Sequence, residues 1–127
     1  MTPLNDRDRA LVREAEHFLG ASYKENVHHA ACLLTCGEKT YRGLHLDSNG
    51  FDVCAEDVAL GTAMTDGKNS FETIVTVLKT PSGISVVNPC GDCRQLLIRH
   101  APNVRVIVAD GEKLYVTTPA ALLPFPY

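Results

Sequence analysis

Apolar residues recur every three to four positions in several parts of the chain, which predicts helices there. The first of these follows Asn5 or Asp6, either of which can cap a helix, and runs to about Leu19. Pro119 can occupy the first position of a last helical turn. After the first helix, the predicted helical segments span 53–64, 90–100 and, for this last turn, 119–123.

Elsewhere apolar residues run together or alternate with polar ones, as they do in strands. Asp110-Gly111 is a strong signal for a tight hairpin, so the last two strands are expected to be antiparallel. The predicted strands span 27–35, 41–46, 74–78, 104–108 and 114–116, with a short extended segment at 84–87. We therefore expect one α/β domain over residues 1–127, a three-layer α/β/α arrangement around a five-stranded mixed sheet.

The composition narrows the class of protein. The 127 residues carry 12 Lys+Arg against 15 Asp+Glu, and the net charge of -3 argues against a partner that is a nucleic acid polymer. No apolar run approaches the ~18 residues that a membrane span needs, and the charged N-terminus is unlike a secretion signal. The five cysteines are therefore expected to be reduced thiols in a cytoplasmic protein.

Two short segments carry the candidate chemistry, Cys54-Ala55-Glu56 and the Pro-Cys-x-x-Cys that contains Cys90 and Cys93. Zinc binds thiolates, and a catalytic zinc site keeps three protein ligands and an open position for water. Cysteines at helix starts favour the thiolate form. Cys54, Cys90 and Cys93 are therefore expected to bind zinc, with Glu56 moving protons beside it, the combination typical of zinc-dependent deaminases.

Cys32 and Cys36 allow a different interpretation. They lie four positions apart on a predicted strand and share a face, so they can pack in the core as small apolar residues. Alternatively, they join Cys90 and Cys93 in a closed structural zinc site, which indicates a binding module without catalysis. That alternative leaves the Cys-Ala-Glu segment without a role.

From about residue 27 to its end, the chain resembles the cytidine deaminase family. The resemblance rests on Cys-Ala-Glu at 54–56, on Asn-Pro-Cys-Gly-Asp-Cys-Arg-Gln at 88–95 and on Leu-Leu-Pro-Phe-Pro-Tyr at 122–127. The segment 43–54 is shorter than in typical cytidine deaminases and similar in length to that of blasticidin S deaminases.

The resemblance implies a fold, an assembly and a reaction. It implies a homotetramer with one zinc ion per subunit and active sites near the subunit interfaces. The implied reaction is hydrolytic deamination of a free aminated pyrimidine nucleoside, such as cytidine, deoxycytidine or blasticidin S, to the keto form plus ammonia. A deaminase of an aminated heterocycle without a sugar is the rival enzyme.

The resemblance also assigns residues to the substrate. The backbone N–H of Ala55 corresponds to the group that binds the pyrimidine carbonyl, and the backbone carbonyl of Asn88 to the acceptor of the exocyclic amine. His45 and Asp47 stand where the family holds the ribose with Asn-x-Glu, and both can hydrogen-bond a sugar. Tyr127 stands where the family places a C-terminal aromatic residue that reaches a neighbouring subunit's site.

Charges near the predicted metal depart from the family pattern. Zinc with three thiolates carries a formal charge near -1, which a nearby arginine normally offsets. Family members often have arginine after Cys-Ala-Glu or inside Cys-x-x-Cys, where this chain has Asp57 and Asp92. Arg94 is the cation next to the motif in sequence, so we expect it to offset the thiolate charge. His28 and His29 alternate faces, so at most one of them faces the pocket.

Overall fold

The computed structural model describes residues 1–127, which form four helices and seven strands. The helices are α1 (Asp6–Ser22), α2 (Ala55–Thr65), α3 (Gly91–His100) and α4 (Pro119–Leu122). The strands are β1 (Thr2–Pro3), β2 (Ala30–Cys36), β3 (Lys39–Leu44), β4 (Thr73–Thr80), β5 (Gly83–Val86), β6 (Arg105–Asp110) and β7 (Lys113–Thr117). Crossing a membrane would take a longer and more apolar helix than any of these four.

All strands belong to one mixed sheet in the order β1-β7-β6-β4-β2-β3, with β5 paired to β4. β4 and β6 are parallel, and every other pair is antiparallel. The last two strands are antiparallel, as the hairpin signal predicts, and Asp110 pairs with Lys113 across the turn. Gly111 has a φ of 64, the left-handed conformation that such a tight turn requires.

The expected count of five strands is wrong, because the sheet has seven. One additional strand is β1, which pairs with β7 and is too short to produce an alternating pattern. The other is β5, which the sequence indicates as extended but not as part of the sheet. β4 pairs with β6 only at Thr73 and Ile74, and this leaves the same side of β4 open to β5 from Val77 to Thr80.

Each face of the sheet has its own apolar core, because successive side chains of a strand point in opposite directions. On one face α1 packs against Leu33, Val75 and Ile107. On the other face α2 and α3 cover Cys32 and Ile74. Helices lie on both faces, as expected, and the starts of α2 and α3 lie on the same side of the sheet.

Candidate metal centre

Three cysteines meet at the adjoining starts of α2 and α3. Cys54 precedes α2, Cys90 precedes α3, and Cys93 lies in the first turn of α3. The Sγ atoms of Cys54 and Cys90 are 3.8 Å apart, those of Cys90 and Cys93 are 3.4 Å apart, and all three fall within 4.8 Å of one another. The two N-cap cysteines make no side-chain cap hydrogen bond, so their sulfur atoms are available to a ligand.

These separations suit a zinc ion. Tetrahedral coordination with Zn–S bonds of about 2.3 Å puts the sulfur atoms ~3.8 Å apart. Three thiolates occupy three of the four positions and leave the fourth open, as in catalytic zinc sites. Cys32 and Cys36 stay outside the group: Cys32 is fully buried in the core, and the Cys36 thiol donates to the carbonyl of Ser70 at 2.9 Å. The closed four-cysteine site is therefore not formed.

The surroundings of the thiols favour their neutral form. Burial raises the pKa of the Cys54 thiol to about 11, and burial also raises the pKa of the Cys93 thiol strongly. The Cys93 thiol donates a hydrogen bond to Oδ1 of Asp57 at 3.5 Å. Because zinc binds thiolates, occupation of this site must release protons and end the bond between Cys93 and Asp57.

Glu56 lies in the first turn of α2 and is 7% exposed. Burial raises the pKa of its carboxyl group above the usual range, and its own backbone N–H and the nearby Thr76 hydroxyl work in the opposite direction. The charge of Glu56 in turn raises the pKa of the Cys54 and Cys93 thiols, because the carboxyl group lies close to both. A raised pKa suits a group that accepts a proton and gives it back near neutral pH.

A close contact between β3 and α2 positions the Cys-Ala-Glu segment. A Cβ atom on Gly43 would lie 2.4 Å from the carbonyl oxygen of Ala55 and 2.5 Å from the nitrogen of Ala59, so only glycine fits there. In the sheet Gly43 pairs with Cys32, and Cys32 pairs with Thr76. Helix α2 therefore starts directly against the sheet at the level of Thr76, which brings Glu56 and the Thr76 hydroxyl together.

The two residues expected to contact the ring through their backbones adjoin the cysteines. Ala55 is the first residue of α2, so its N–H has no partner within the helix. The side-chain amide of Asn88 donates to the carbonyl of Ala109 at 3.0 Å, and its oxygen accepts from the N–H of Ala109 at 2.8 Å. This pair of bonds holds the segment that leads into Cys90 against the end of β6.

Arg94 is held by two backbone carbonyls. Its Nε donates to the carbonyl of Pro89 at 2.7 Å, and its Nη1 donates to that of Leu122 at 2.9 Å. The guanidinium group thus ties the start of α3 to α4 and lies beside the cysteine segment without a hydrogen bond to sulfur. Gln95 accepts from the backbone N–H of Tyr127 at 3.0 Å, and the Tyr127 side chain is fully exposed.

His45 and Asp47 lie beyond the end of β3, and His29 lies beside them. A ring nitrogen of each histidine and a carboxylate oxygen of Asp47 fall within 4.8 Å of one another. Nδ1 of His45 accepts the backbone N–H of His29 at 3.0 Å, and its Nε2 is 2.8 Å from Oδ2 of Asp52. The two imidazole rings stack with their centroids 5.0 Å apart, and His45 is buried.

Sequence reasoning missed the contacts that join separate segments at the site. Nothing in the local pattern marks Asp52 as the partner of His45, and the role of His29 is not apparent from its neighbours. Thr76 carried a usable signal, because a hydroxyl within an apolar buried strand needs a hydrogen-bond partner. That signal predicts a polar group on a facing element, which is Glu56.

Comparisons with known proteins point to one family. The family model for the cytidine and deoxycytidylate deaminase zinc-binding region matches residues 5–110, which include the three cysteines and Glu56. The chain is 33% identical to blasticidin-S deaminase from Bacillus cereus over 132 aligned positions, covering 98% of this chain and 94% of that protein. It is 31% identical to cytidine deaminase from Sporosarcina psychrophila, covering 74% of this chain and 70% of that protein.

Solved structures show the same fold. Cytidine deaminase from Burkholderia pseudomallei superposes with a TM-score of 0.76 at 25% identity, covering 98% of this chain and 100% of that one. Cytidine deaminase from Mycobacterium leprae superposes with a TM-score of 0.70 at 23% identity, covering 91% and 96% of the two chains. The similarity in fold therefore extends over nearly the whole chain.

Proposed function

Because the chain belongs to the cytidine and deoxycytidylate deaminase family, we propose that it is a zinc-dependent hydrolase that deaminates a free pyrimidine nucleoside. The candidate substrates are cytidine, deoxycytidine and cytosine-nucleoside analogues such as blasticidin S. The products are the keto form of the ring and ammonia. The observation that carries the proposal is the meeting of three thiols and a buried carboxyl group at two helix starts.

Cys54, Cys90 and Cys93 hold the zinc ion in this proposal, one per chain. Zinc held there supplies Lewis-acid activation of a water molecule. Glu56 takes a proton from the water and delivers it to ring nitrogen N3 as the oxygen adds to C4. Glu56 then moves the remaining proton of that oxygen to the amino group, the C–N bond breaks, and ammonia leaves. The raised pKa of Glu56 supports a role that requires both forms of its carboxyl group.

Backbone groups orient the ring in the proposed complex. The N–H of Ala55 donates to the pyrimidine carbonyl, and the carbonyl of Asn88 accepts from the exocyclic amine. Two observations support these assignments: the Ala55 N–H has no partner within α2, and the Asn88 side chain is already bonded to Ala109. Both groups adjoin a cysteine, so a ring bound to them lies beside the reacting water. In the proposed complex His45 and Asp47 lie next to the sugar of the nucleoside.

The proposal also covers the assembly and the charges around the site. We assign Tyr127 to the site of a neighbouring subunit in a cytoplasmic homotetramer, which fits a fully exposed aromatic ring at the chain end. Arg94 offsets part of the thiolate charge through its position, because its guanidinium group is bonded to the residue before Cys90. In the alternative to this role of Arg94, Asp57 or Asp92 helps to recognise a substrate that carries positive charge.

Measurement of zinc content together with ammonia release tests the proposed function. The purified protein is expected to hold one zinc ion per chain and to release ammonia from at least one of cytidine, deoxycytidine and blasticidin S. Cys54→Ser is expected to lose both zinc and turnover, whereas the matched variant Cys36→Ser keeps both. Release of ammonia from cytosine but from no nucleoside would favour the sugar-independent enzyme, and full zinc content in Cys54→Ser would contradict the assigned metal site.

A further inference from the structure

The carboxyl group of Glu56 has one side toward the cysteines and another toward the sheet. On the first side it lies close to Cys54 and Cys93, as their raised pKa values show. On the second side Glu56 lines a cavity of about 10 Å³ between α2, α3 and the sheet. That volume is at the lower limit for a single water molecule. The inner side of the carboxyl group therefore depends on protein groups for its hydrogen bonds.

Thr76 is the other polar residue of this cavity, because the rest of the lining consists of aliphatic side chains and Pro89. Thr76 is 5% exposed, so its hydroxyl group is as buried as the Glu56 carboxyl group. A buried polar group that stays unpaired costs free energy, and the apolar lining offers neither of them another side-chain partner. The Thr76 hydroxyl is therefore the partner available to the inner side of Glu56.

The pairing of the sheet places Thr76 beneath the start of α2. Gly43, Cys32 and Thr76 pair side by side across β3, β2 and β4, so these three positions share one face. The missing side chain of Gly43 lets α2 lie directly against that face. On the other side of β4, the N–H of Val87 donates to the Thr76 carbonyl at 2.9 Å. Backbone pairing on both sides thus makes Thr76 a rigid support for a group on α2.

Cys32 is a second neighbour of the Thr76 hydroxyl. Burial raises the pKa of the Cys32 thiol and of the Glu56 carboxyl group, and the Thr76 hydroxyl acts against that rise at both, because it lies close to each. Cys32 is fully buried and keeps its proton, and a thiol sulfur is a weak acceptor. The hydroxyl proton therefore belongs to the bond with Glu56, and the thiol can donate to the hydroxyl oxygen.

On the premise of the proposed function, we propose that Thr76 is a positioning residue for Glu56 in the zinc-loaded protein. Its hydroxyl donates to the carboxylate oxygen that faces the sheet, which directs the other oxygen toward the reacting water. A carboxylate fixed in this way has less freedom to lose when the substrate binds. Thr76 acts through Glu56 and does not contact the substrate, so its loss affects kcat and leaves KM unchanged.

Kinetics of variants with and without the hydroxyl group test this role. Thr76→Val keeps the shape of the side chain and is expected to lower kcat about tenfold, the contribution of one hydrogen bond, with KM and zinc content unchanged. Thr76→Ser keeps a hydroxyl group and is expected to retain most of the wild-type kcat.

Thr73→Val is the matched control for Thr76→Val. Thr73 is a buried threonine of the same strand that points to the opposite face and accepts from Arg105 at 3.0 Å. Its replacement is expected to lower stability and to keep kcat. An unchanged kcat in Thr76→Val, an equal loss in Thr76→Ser or a rise in KM alone would overturn the role of Thr76.

Infrared spectroscopy separates failure of this role from failure of the proposed function. Subtracting the spectrum of zinc-loaded Glu56→Gln from that of wild type isolates the carboxyl band of Glu56 without any substrate. The same subtraction in the Thr76→Val background is expected to give a shifted band, and in the Thr76→Ser background an unshifted one. If the wild-type protein deaminates no nucleoside, the proposed function fails and this band decides alone: a shift supports the bond from Thr76, and an unchanged band overturns it.

Discussion

Asp8 and Glu56 are both buried carboxyl groups in the first turn of a helix, but their surroundings differ. Asp8 is 2% exposed and Glu56 is 7% exposed. Arg105 donates to the Asp8 carboxylate at 2.6 and 2.8 Å and the N–H of Asn5 donates at 3.0 Å, and these bonds lower the pKa of Asp8. Glu56 makes no salt bridge, and burial raises its pKa.

The difference shows what decides the role of a buried carboxyl group in this fold. A helix start favours the charged form at both positions. The counter-ion therefore makes the difference: Arg105 fixes Asp8 in its charged form and ties α1 to β6, which stabilises the fold. Glu56 has no such partner and can change its protonation, which is the property that proton transfer needs.

Replacing Glu56 tests the reactive side of this comparison and is expected to have the largest effect. Glu56→Gln should lower kcat by a factor of about 10² to 10⁴, because the amide cannot transfer the proton. Zinc content should stay at one per chain. The free energy of unfolding should stay the same or rise, because a neutral amide costs less to bury than a carboxylate.

Ammonia release, zinc analysis and urea unfolding measure these three quantities for Glu56→Gln. Glu14→Gln, an exposed carboxylate on α1, is the control and should change none of them. Loss of stability in Glu56→Gln with turnover retained would mean that Glu56 has the structural role assigned to Asp8.

Replacing Asp8 tests the structural side, with a smaller expected effect. Asp8→Asn should lower the free energy of unfolding by about 2–3 kcal/mol, because it leaves the Arg105 guanidinium without its carboxylate. The kcat of the folded, zinc-loaded protein should stay within about twofold of wild type, since Asp8 lies on the opposite face of the sheet from the metal centre.

Asp6→Asn is the matched control for Asp8→Asn. Asp6 lies in the same helical turn and pairs with Arg9, but its side chain is 99% exposed. An exposed pair contributes little, so its loss should change stability by no more than about 0.5 kcal/mol. Equal stability of the two variants would contradict the role given to the pair of Asp8 and Arg105.

The sequence predicts most of the secondary structure because local spacing determines it. The helix that starts near Asp6 and the hairpin at Gly111 depend on residues a few positions apart, and both are found close to where they are expected. Of the two strands missing from the expected sheet, β5 pairs with the preceding strand β4 through a turn between Thr80 and Gly83, whereas β1 depends on a distant partner. β1 exists because β7 lies beside it, and no pattern within two residues can show that.

The candidate site shows the same difference between features set by local spacing and features set by distant partners. Cys54, Cys90 and Cys93 follow from the spacing of two motifs, because helix starts aim their side chains predictably. The bond between Asp8 and Arg105 joins residues 97 positions apart, and His29 and His45 are 16 apart. Such pairs depend on the register of strands, which periodicity alone does not determine.

The pH dependence of the free energy of unfolding gives the smallest expected effect. It distinguishes Asp8 from Glu56, because folding lowers the pKa of one and raises the pKa of the other. The pKa of Asp8 is lowered in the folded state, mainly by its hydrogen bonds with Arg105. Its stabilising contribution is therefore fully present above the unfolded pKa of about 3.9 and is lost as the pH falls through the folded value. Glu56 has a raised pKa, so its burial costs stability above that value and less below it.

Comparing wild type with Asp8→Asn at each pH isolates the contribution of the Asp8 charge to stability, because release of zinc in acid affects both proteins alike. The difference in the free energy of unfolding should stay constant from pH 7 to about 5 and then shrink by about 1 kcal/mol toward pH 3, as Asp8 takes up its proton. Urea titrations at intervals of one pH unit measure it. A difference that stays constant down to pH 3 would mean that Asp8 stabilises the fold through the shape of its helix cap and not through its charge.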